Sequence, residues 1–380
     1  MTADSGFGVY IHWPFCQAKC PYCDFNSHVS ANVDTNRWER ALVGEIRRQS
    51  NLADAQPVTS VFFGGGTPSL MPPSVVGACL DAIAEAMKVA PDCEVTLEAN
   101  PTSSDATKFA GFKAAGVGRL SMGVQALNDA DLKRLGRLHS VAEAIEAFDN
   151  ARKMFDRVSF DLIYARQDQS LKSWLDELDT ALAMAIDHLS LYQLTIEPGT
   201  RFGDMFDRGR LRGLPKDNVA AQMYEETAAR CEAAGLGLYE VSNASRDGAE
   251  CRHNLTYWRY GAYLGIGPGA HGRRDEGGTR YATESLRAPG AWLAAVEKND
   301  GAESTRALQP EEMSDEYALM ALRLREGLNL ERLARFGGSI NTEAAARLVT
   351  DGFLRKNGDR LLATTAGRMV LNTILSEILT

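Results

Sequence analysis

Three cysteines fall within eight residues, Cys16, Cys20 and Cys23, in the run IHWPFCQAKCPYCDF. The chain has seven cysteines in 380 residues, so composition alone does not produce such a cluster. Three thiols cannot all pair with one another as disulfides. Thiolates converging from a short loop are what a metal ion or an iron–sulfur centre requires. Three ligands are one short of the irons in a cubane cluster, which leaves one iron open to another ligand. The alternative is a structural zinc site, with His12 or His28 as the fourth ligand. Pro14 and Pro21 stiffen the loop, and Phe15, Tyr22 and Phe25 can exclude water. Cys79, Cys93 and Cys231 read as ordinary thiols in helices and loops.

The elements that must position this loop are legible in the hydrophobic pattern. Apolar or β-branched runs at 8–12, 59–63, 94–98, 119–124, 157–163 and 188–194 read as strands. Helical periodicity fills 35–50, 73–89, 103–115, 128–154 and 170–186, with cap signals at Asp34/Thr35, at Ser74 after Pro72-Pro73, and at Ser103/Ser104. Alternating strands and helices imply parallel strands joined by right-handed crossovers. Polar or glycine-rich residues follow nearly every strand: the cysteine loop, Gly64-Gly65-Gly66-Thr67-Pro68, Glu98-Ala99-Asn100-Pro101, Gly123-Val124-Gln125, Asp161 and Gln193. A site assembled from many strand ends favours a partial (β/α)6 barrel over an open sheet with a single switch point.

The expected architecture is thus α/β, with the barrel over 1–204. A small linking region follows over 205–305, with a helical stretch at 205–235, then a short strand and an ordered loop rich in glycine and aromatics. The last unit, 306–380, carries helical patterns at 311–325, 329–336 and 341–350, a hairpin with Asn357-Gly358 at its tip, and a closing helix at 366–379. Three helices and a hairpin suggest a winged-helix-like α+β unit. Its ten basic and ten acidic residues give no excess of positive charge. The whole chain has a formal net charge of −9, which argues against a nucleic-acid partner. No apolar run reaches eighteen residues, so no membrane span is expected. The N-terminus lacks the features of a secretory signal, and clustered cysteines suit a reducing compartment, so the expected location is the cytoplasm.

CxxxCxxC after a first strand, with GGGTP after the second, resembles the radical S-adenosylmethionine superfamily. That resemblance implies a 4Fe–4S cluster on Cys16, Cys20 and Cys23, its open iron binding S-adenosyl-L-methionine. It implies contacts to the methionyl group from Gly65, Gly66 and Thr67. Further positions resemble the subfamily of anaerobic coproporphyrinogen dehydrogenase. They imply that Tyr10 lies beside the cofactor and that Glu98, Gln125, Arg137 and Asp161 contact S-adenosylmethionine. Arginine can pair with the ligand carboxylate in bidentate fashion, and Asp or Gln can bind ribose hydroxyls. The likeness departs after DLIY, where Ala165-Arg166-Gln167 replaces the usual Gly/Ala-Leu-Pro stretch and leaves the loop shape open.

Two features separate branches within the subfamily. The oxidase pattern is CxxxCxxCxC, but Phe25 stands where its fourth cysteine would be. The run His253-Asn254-Leu255-Thr256-Tyr257-Trp258 matches HNxxYW, a hallmark of the haem-chaperone branch. The resemblance implies haem as cargo, delivery to haem-requiring respiratory membrane proteins, access to the inner membrane through those partners, and a homodimer. Haem iron accepts His, Cys or Tyr ligands, so His253 is the expected haem residue, with Cys251 and Tyr257 nearby and Trp258 and Tyr260 able to pack on a porphyrin. The alternative for His253 is a structural role within an irregular loop. His271 reads as structural, and His139 and His188 as ordinary fold residues. No catalytic residue is assigned, and turnover of S-adenosylmethionine stays open. The competing enzyme reading is an oxygen-independent coproporphyrinogen III oxidase, which converts two propionates to vinyls. A zinc protein with a nucleic-acid module is the remaining alternative.

Overall fold

A computed structural model describes residues 5–30, 32–102, 106–299 and 301–379. The first strand, β1 (Phe7–Trp13), shows why the sheet forms: Val9, Ile11 and Trp13 are buried on one face, while Tyr10 and His12 point to the other. The buried face packs on α1 (Thr35–Ser50), where Trp38 meets Trp13 edge-on. Asp34 caps that helix through the Arg37 amide. The alternation continues through β2 (Val58–Gly65), α2 (Pro73–Ala86), β3 (Val89–Ala99), α3 (Phe109–Ala114) and β4 (Arg119–Gln125). Next come α4 (Asp129–Arg134), α5 (Val141–Met154), β5 (Arg157–Tyr164), α6 (Leu171–Met184) and β6 (His188–Gln193). All six strands pair in sequence order and in parallel, so their C-terminal ends open on one side.

Two long expected helices are broken. The 128–154 pattern splits into α4 and α5 at Gly136, whose φ of +69° an L-residue tolerates poorly. A Cβ there would stand 2.8 Å from Pro21, so the break brings this turn against the cysteine loop. The 205–235 pattern becomes α7 (Arg201–Asp207) and α8 (Asp217–Ala233), separated by Gly209 and Gly213 with positive φ. The expected caps Ser103/Ser104 lie outside the described residues.

Residues 237–307 are more ordered than the sequence pattern suggests. Two short strands, β7 (Gly237–Leu238) and β8 (Asn243–Ser245), extend the sheet beyond β6 in antiparallel fashion. The HNxxYW segment, expected in an ordered loop, is helix α9 (Arg252–Trp258). Then β9 (Ala262–Ile266) pairs parallel to β1. Strands β10 (His271–Glu276) and β11 (Thr279–Ser285), helix α10 (Pro289–Lys298) and strand β12 (Glu303–Ala307) complete this region. The resulting twelve-stranded sheet runs β12-β11-β10-β9-β1-β2-β3-β4-β5-β6-β8-β7. It is an open barrel whose central seven strands are parallel.

The C-terminal unit has its own apolar core, including Leu322, Leu328, Leu348, Leu361, Ile374 and Ile378. It contains α11 (Pro310–Ala321), α12 (Leu330–Arg335), α13 (Thr342–Thr350), the hairpin β13 (Leu354–Asn357) and β14 (Arg360–Ala363), then α14 (Thr365–Met369) and α15 (Leu371–Ile378). The last expected helix is thus two, broken at Val370. Leu328–Asn329 adds a third strand to the hairpin, and the turn centres on Gly358-Asp359, one residue later than expected. No helix among the described residues is long and apolar enough to cross a membrane.

Candidate functional site

Cys16, Cys20 and Cys23 follow β1 and line a cavity of about 370 Å³ at the open C-terminal ends of β2 to β6. Gly65, Gly66, Thr67, Glu98, Gln125, Arg137 and Asp161 line the same cavity. Seven site residues expected from the sequence and the three thiols are therefore brought together, from four strand ends and three loops.

The glycines act by what they leave out. A Cβ on Gly66 would lie 2.8 Å from the Phe15 carbonyl oxygen and 3.0 Å from Cys16 Sγ. A Cβ on Gly65, at φ +113°, would strike the His12 ring at 2.6 Å. The Thr67 hydroxyl points at Cys16 Sγ at 3.4 Å. Arg137 Nη1 lies 3.5 Å from Cys20 Sγ, while its Nη2 donates to Asn100 Oδ1 at 2.6 Å and to the Gly123 carbonyl at 2.8 Å. Its Nε is buried with no partner among the described residues. Gln125 has φ +72°, uncommon for a residue with a side chain, and follows a shift in the β4–β5 register. The bulge turns Gln125 into the cavity.

Two carboxyl groups face each other across this space. Burial and the Asp161 charge push Glu98 up to about 8, partly offset by the Gly65 amide. Burial pushes Asp161 up to about 6, against a hydrogen bond from Ser190. Asp161 Oδ1 is buried and unpartnered among the described residues. Buried polar atoms rarely stay unpaired. Orphan atoms on Arg137 and Asp161, two residues lining a cavity floored by glycine, fit a polar ligand carrying a carboxylate and hydroxyl groups. Burial also raises the thiol pKa values of Cys16 and Cys23. A bound cation would oppose that shift.

Tyr10 is not among the residues lining the cavity; it stands near Glu98, its hydroxyl 2.9 Å from His12 Nδ1. His12 Nε2 in turn lies 2.9 Å from the Asn26 carbonyl. A carbonyl only accepts, so Nε2 carries the proton and Nδ1 accepts from Tyr10. With both nitrogens occupied, His12 cannot serve as a fourth zinc ligand. Among the described residues, no three His, Cys, Asp or Glu side chains stand close enough to hold one metal ion.

The His253 ring is 1% exposed and stacks on Phe62 with centroids 5.1 Å apart. Nδ1 bonds Ser60 Oγ at 2.9 Å, and Nε2 bonds the Tyr257 hydroxyl at 2.7 Å. Burial lowers its pKa to about 3. In this structure the imidazole offers an iron no accessible nitrogen, and both of its nitrogens hold structural partners. Cys251 is buried as well, and Tyr260 packs on Arg280 and Phe336 beside the C-terminal unit. His139 bonds the Val124 carbonyl and His188 the Tyr239 hydroxyl, while His271 is exposed.

The sequence places Asn100 at a strand end without a role; in the structure it joins Thr67 to Arg137. Its position two residues after Glu98, at the same strand end, was the available signal. Sequence reasoning missed Asn26, whose Nδ2 donates to the carbonyls of Pro268 and Arg287 at 2.8 and 2.9 Å. No local pattern reveals partners more than 240 residues away. The unusual loop after DLIY is a tight turn with Ala165 at φ +57°, closed by Arg166 pairing with Asp131 and Glu177.

The sequence model of the radical SAM superfamily matches residues 10–181, and that of the HemN C-terminal domain matches residues 308–370. The chain is 39% identical over 381 residues to the heme chaperone HemW of Mycobacterium tuberculosis (strain ATCC 25618 / H37Rv), covering 98% of this chain and 95% of that protein. It is 35% identical to the heme chaperone HemW of Escherichia coli (strain K12), covering 98% and 97%. Radical S-adenosyl methionine domain-containing protein 1, mitochondrial, of Mus musculus is 39% identical, covering 100% and 88%. Among solved structures, coproporphyrinogen III oxidase (HemN) from Escherichia coli superposes with a TM-score of 0.81 at 20% identity, covering 98% and 89%, and so shares the fold.

Proposed function

Because this chain belongs to the HemW branch of the radical SAM superfamily, we propose that it is a haem chaperone carrying a 4Fe–4S cluster and S-adenosylmethionine. Cys16, Cys20 and Cys23 would hold the cluster. Arg137 would pair with the ligand carboxylate, Asp161 and Gln125 would take hydroxyl groups, and Gly65 and Gly66 would let the backbone close on the ligand. When bound, the pair supplies one-electron chemistry at the sulfonium. The chain's own residues shape and dry the cavity: Tyr10 orients His12, His12 holds the Asn26 carbonyl, and Asn100 fixes the Arg137 fork.

The observation that carries this reading is similarity to proteins named heme chaperone HemW along nearly the entire chain, the C-terminal unit included. The cargo would be haem, and the recipients haem-requiring respiratory membrane proteins. The unit at 306–380 would gate the open barrel or meet those recipients, and a homodimer would form around the loaded cluster.

An anaerobic haem titration of cluster-reconstituted protein, followed at the Soret band, tests the reading. Saturation near one haem per chain is expected. Absence of saturable binding, with protoporphyrinogen formed from coproporphyrinogen under reducing conditions, would replace the chaperone by the oxidase. Failure to form a four-iron chromophore would remove both.

A further inference from the structure

We propose that haem is held at the rim of the cluster cavity with His28, not His253, as its axial ligand; this rests on the haem-chaperone reading above. The argument begins with the Asn26 amide. Its Nδ2 donates both hydrogens to fixed backbone carbonyls, those of Pro268 and Arg287. The amide therefore cannot flip, and Oδ1 must be the atom that faces His28 Nε2 at 3.1 Å. Oδ1 only accepts, so Nε2 carries the proton. The lone pair lies on Nδ1, which makes no hydrogen bond among the described residues. An imidazole whose N–H is held by an outer acceptor, with its other nitrogen open, is the arrangement of a metal-binding histidine. His28 is exposed, and its backbone is fixed by pairing with Phe15, next to Cys16.

The surroundings suit a porphyrin with carboxylate arms. Phe25, Val29 and Leu286, carried by this loop and by the segment clamped to it, are 63%, 60% and 42% exposed. These three exposed apolar side chains lie on the two segments that the Asn26 amide joins, within reach of an apolar ligand face. Phe25 stands where the oxidase pattern has its extra cysteine. Lys19 reaches the Ser27 carbonyl at 3.4 Å and is close enough to His28 to influence its charge. The exposed Arg287 adjoins Leu286, and its carbonyl holds Asn26. These two cations can meet two propionates. Gly269, at φ +74°, lets the clamp close, because a Cβ there would lie 2.5 Å from Asn26 Nδ2. Among the histidines, His253 is locked at both nitrogens in the interior, whereas His28 has an open nitrogen at the surface.

The test is an anaerobic titration of cluster-reconstituted protein with ferric protoporphyrin IX. His28→Ala should weaken binding at least tenfold and move the Soret maximum, with iron per chain unchanged. Added imidazole should restore the wild-type Soret position. Leu286→Asp should weaken binding and leave the Soret position in place, which separates apolar contact from ligation. His253→Ala, where it folds, should keep the wild-type Soret band. Unchanged affinity and spectrum in His28→Ala, or loss of the band in folded His253→Ala alone, would overturn the assignment and leave the chaperone reading standing. No saturable binding by the wild type would overturn both.

Discussion

Glu98→Gln isolates the electrostatic load of the cavity in the ligand-free protein. In the unfolded chain Glu98 ionises near its ordinary 4.5, but in the folded cavity burial and Asp161 raise this to about 8. Folding therefore takes up a proton between these values. Stability from this group is complete at low pH and is lost as pH rises towards 8. With 1.36 kcal/mol per unit, the ionisation penalty grows from about 2 kcal/mol at pH 6 to about 4.6 kcal/mol at pH 8.5, an increase of about 2.5 kcal/mol at most. Asp161 carries part of the same repulsion, so an increase of roughly 1–2.5 kcal/mol is expected. Glutamine keeps the shape and never ionises. Thermal melts of both proteins, without cluster or S-adenosylmethionine, should show the variant more stable at pH 8.5 by a clearly larger margin than at pH 6. A margin independent of pH, or one that shrinks as pH rises, would refute the assignment of a buried, repelled carboxyl at this strand end.

Gly66→Ala places a methyl group against the Phe15 carbonyl and Cys16 Sγ; reconstituted iron should fall by more than half with the circular dichroism unchanged, and full iron loading would show that the loop yields. Asn26→Ala removes two bonds from the cysteine loop to distant backbone, each worth about 0.5–1.5 kcal/mol. Iron release to a chelator should accelerate several-fold, and a wild-type rate would discount the clamp. His253→Ala leaves a hole between Phe62 and Tyr257 and strands the Ser60 and Tyr257 hydroxyls. A loss of about 3–5 kcal/mol in urea unfolding is expected, and a loss under 1 kcal/mol would contradict the structural role.

The parallel core was legible because each strand and each crossover helix carries its own period. Val9, Ile11 and Trp13 alternate, and Asp34 announces its helix with a side-chain cap, whereas the expected cap Ser74 lies inside α2, which starts at Pro73 without a side-chain cap. The residues after each strand were equally open to reading, since a barrel gathers strand ends without regard to distance in sequence. The helix breaks at Gly136 and Val370 were hidden, because flanking apolar residues stayed in phase across them. Strand β9 was obscured for a different reason. AYLGI reads as a loop in a glycine-rich stretch, and only its parallel seat beside β1 makes it a strand.

The HNxxYW segment shows how a motif can be found while its surroundings stay illegible. Chemistry alone cannot separate a histidine that binds iron from one that binds two hydroxyls, since both uses need the same ring. Burial and partners decide. Here α9 carries His253 beneath β1 and β2, where it stacks on Phe62 and faces Tyr10. The chain then returns as β9, and Pro268 takes the Asn26 amide across the cysteine loop. Tyr10 and His12 reach the same loop from β1 through the Asn26 carbonyl. The segment 252–287 thus supports the cysteine loop from two sides, through the floor of the barrel and through the clamp at its rim. A loop of three thiols near the N-terminus has too few apolar residues to fix its own shape. Its geometry is supplied by residues some 240 positions later, which is why a local reading locates the thiols and not what holds them.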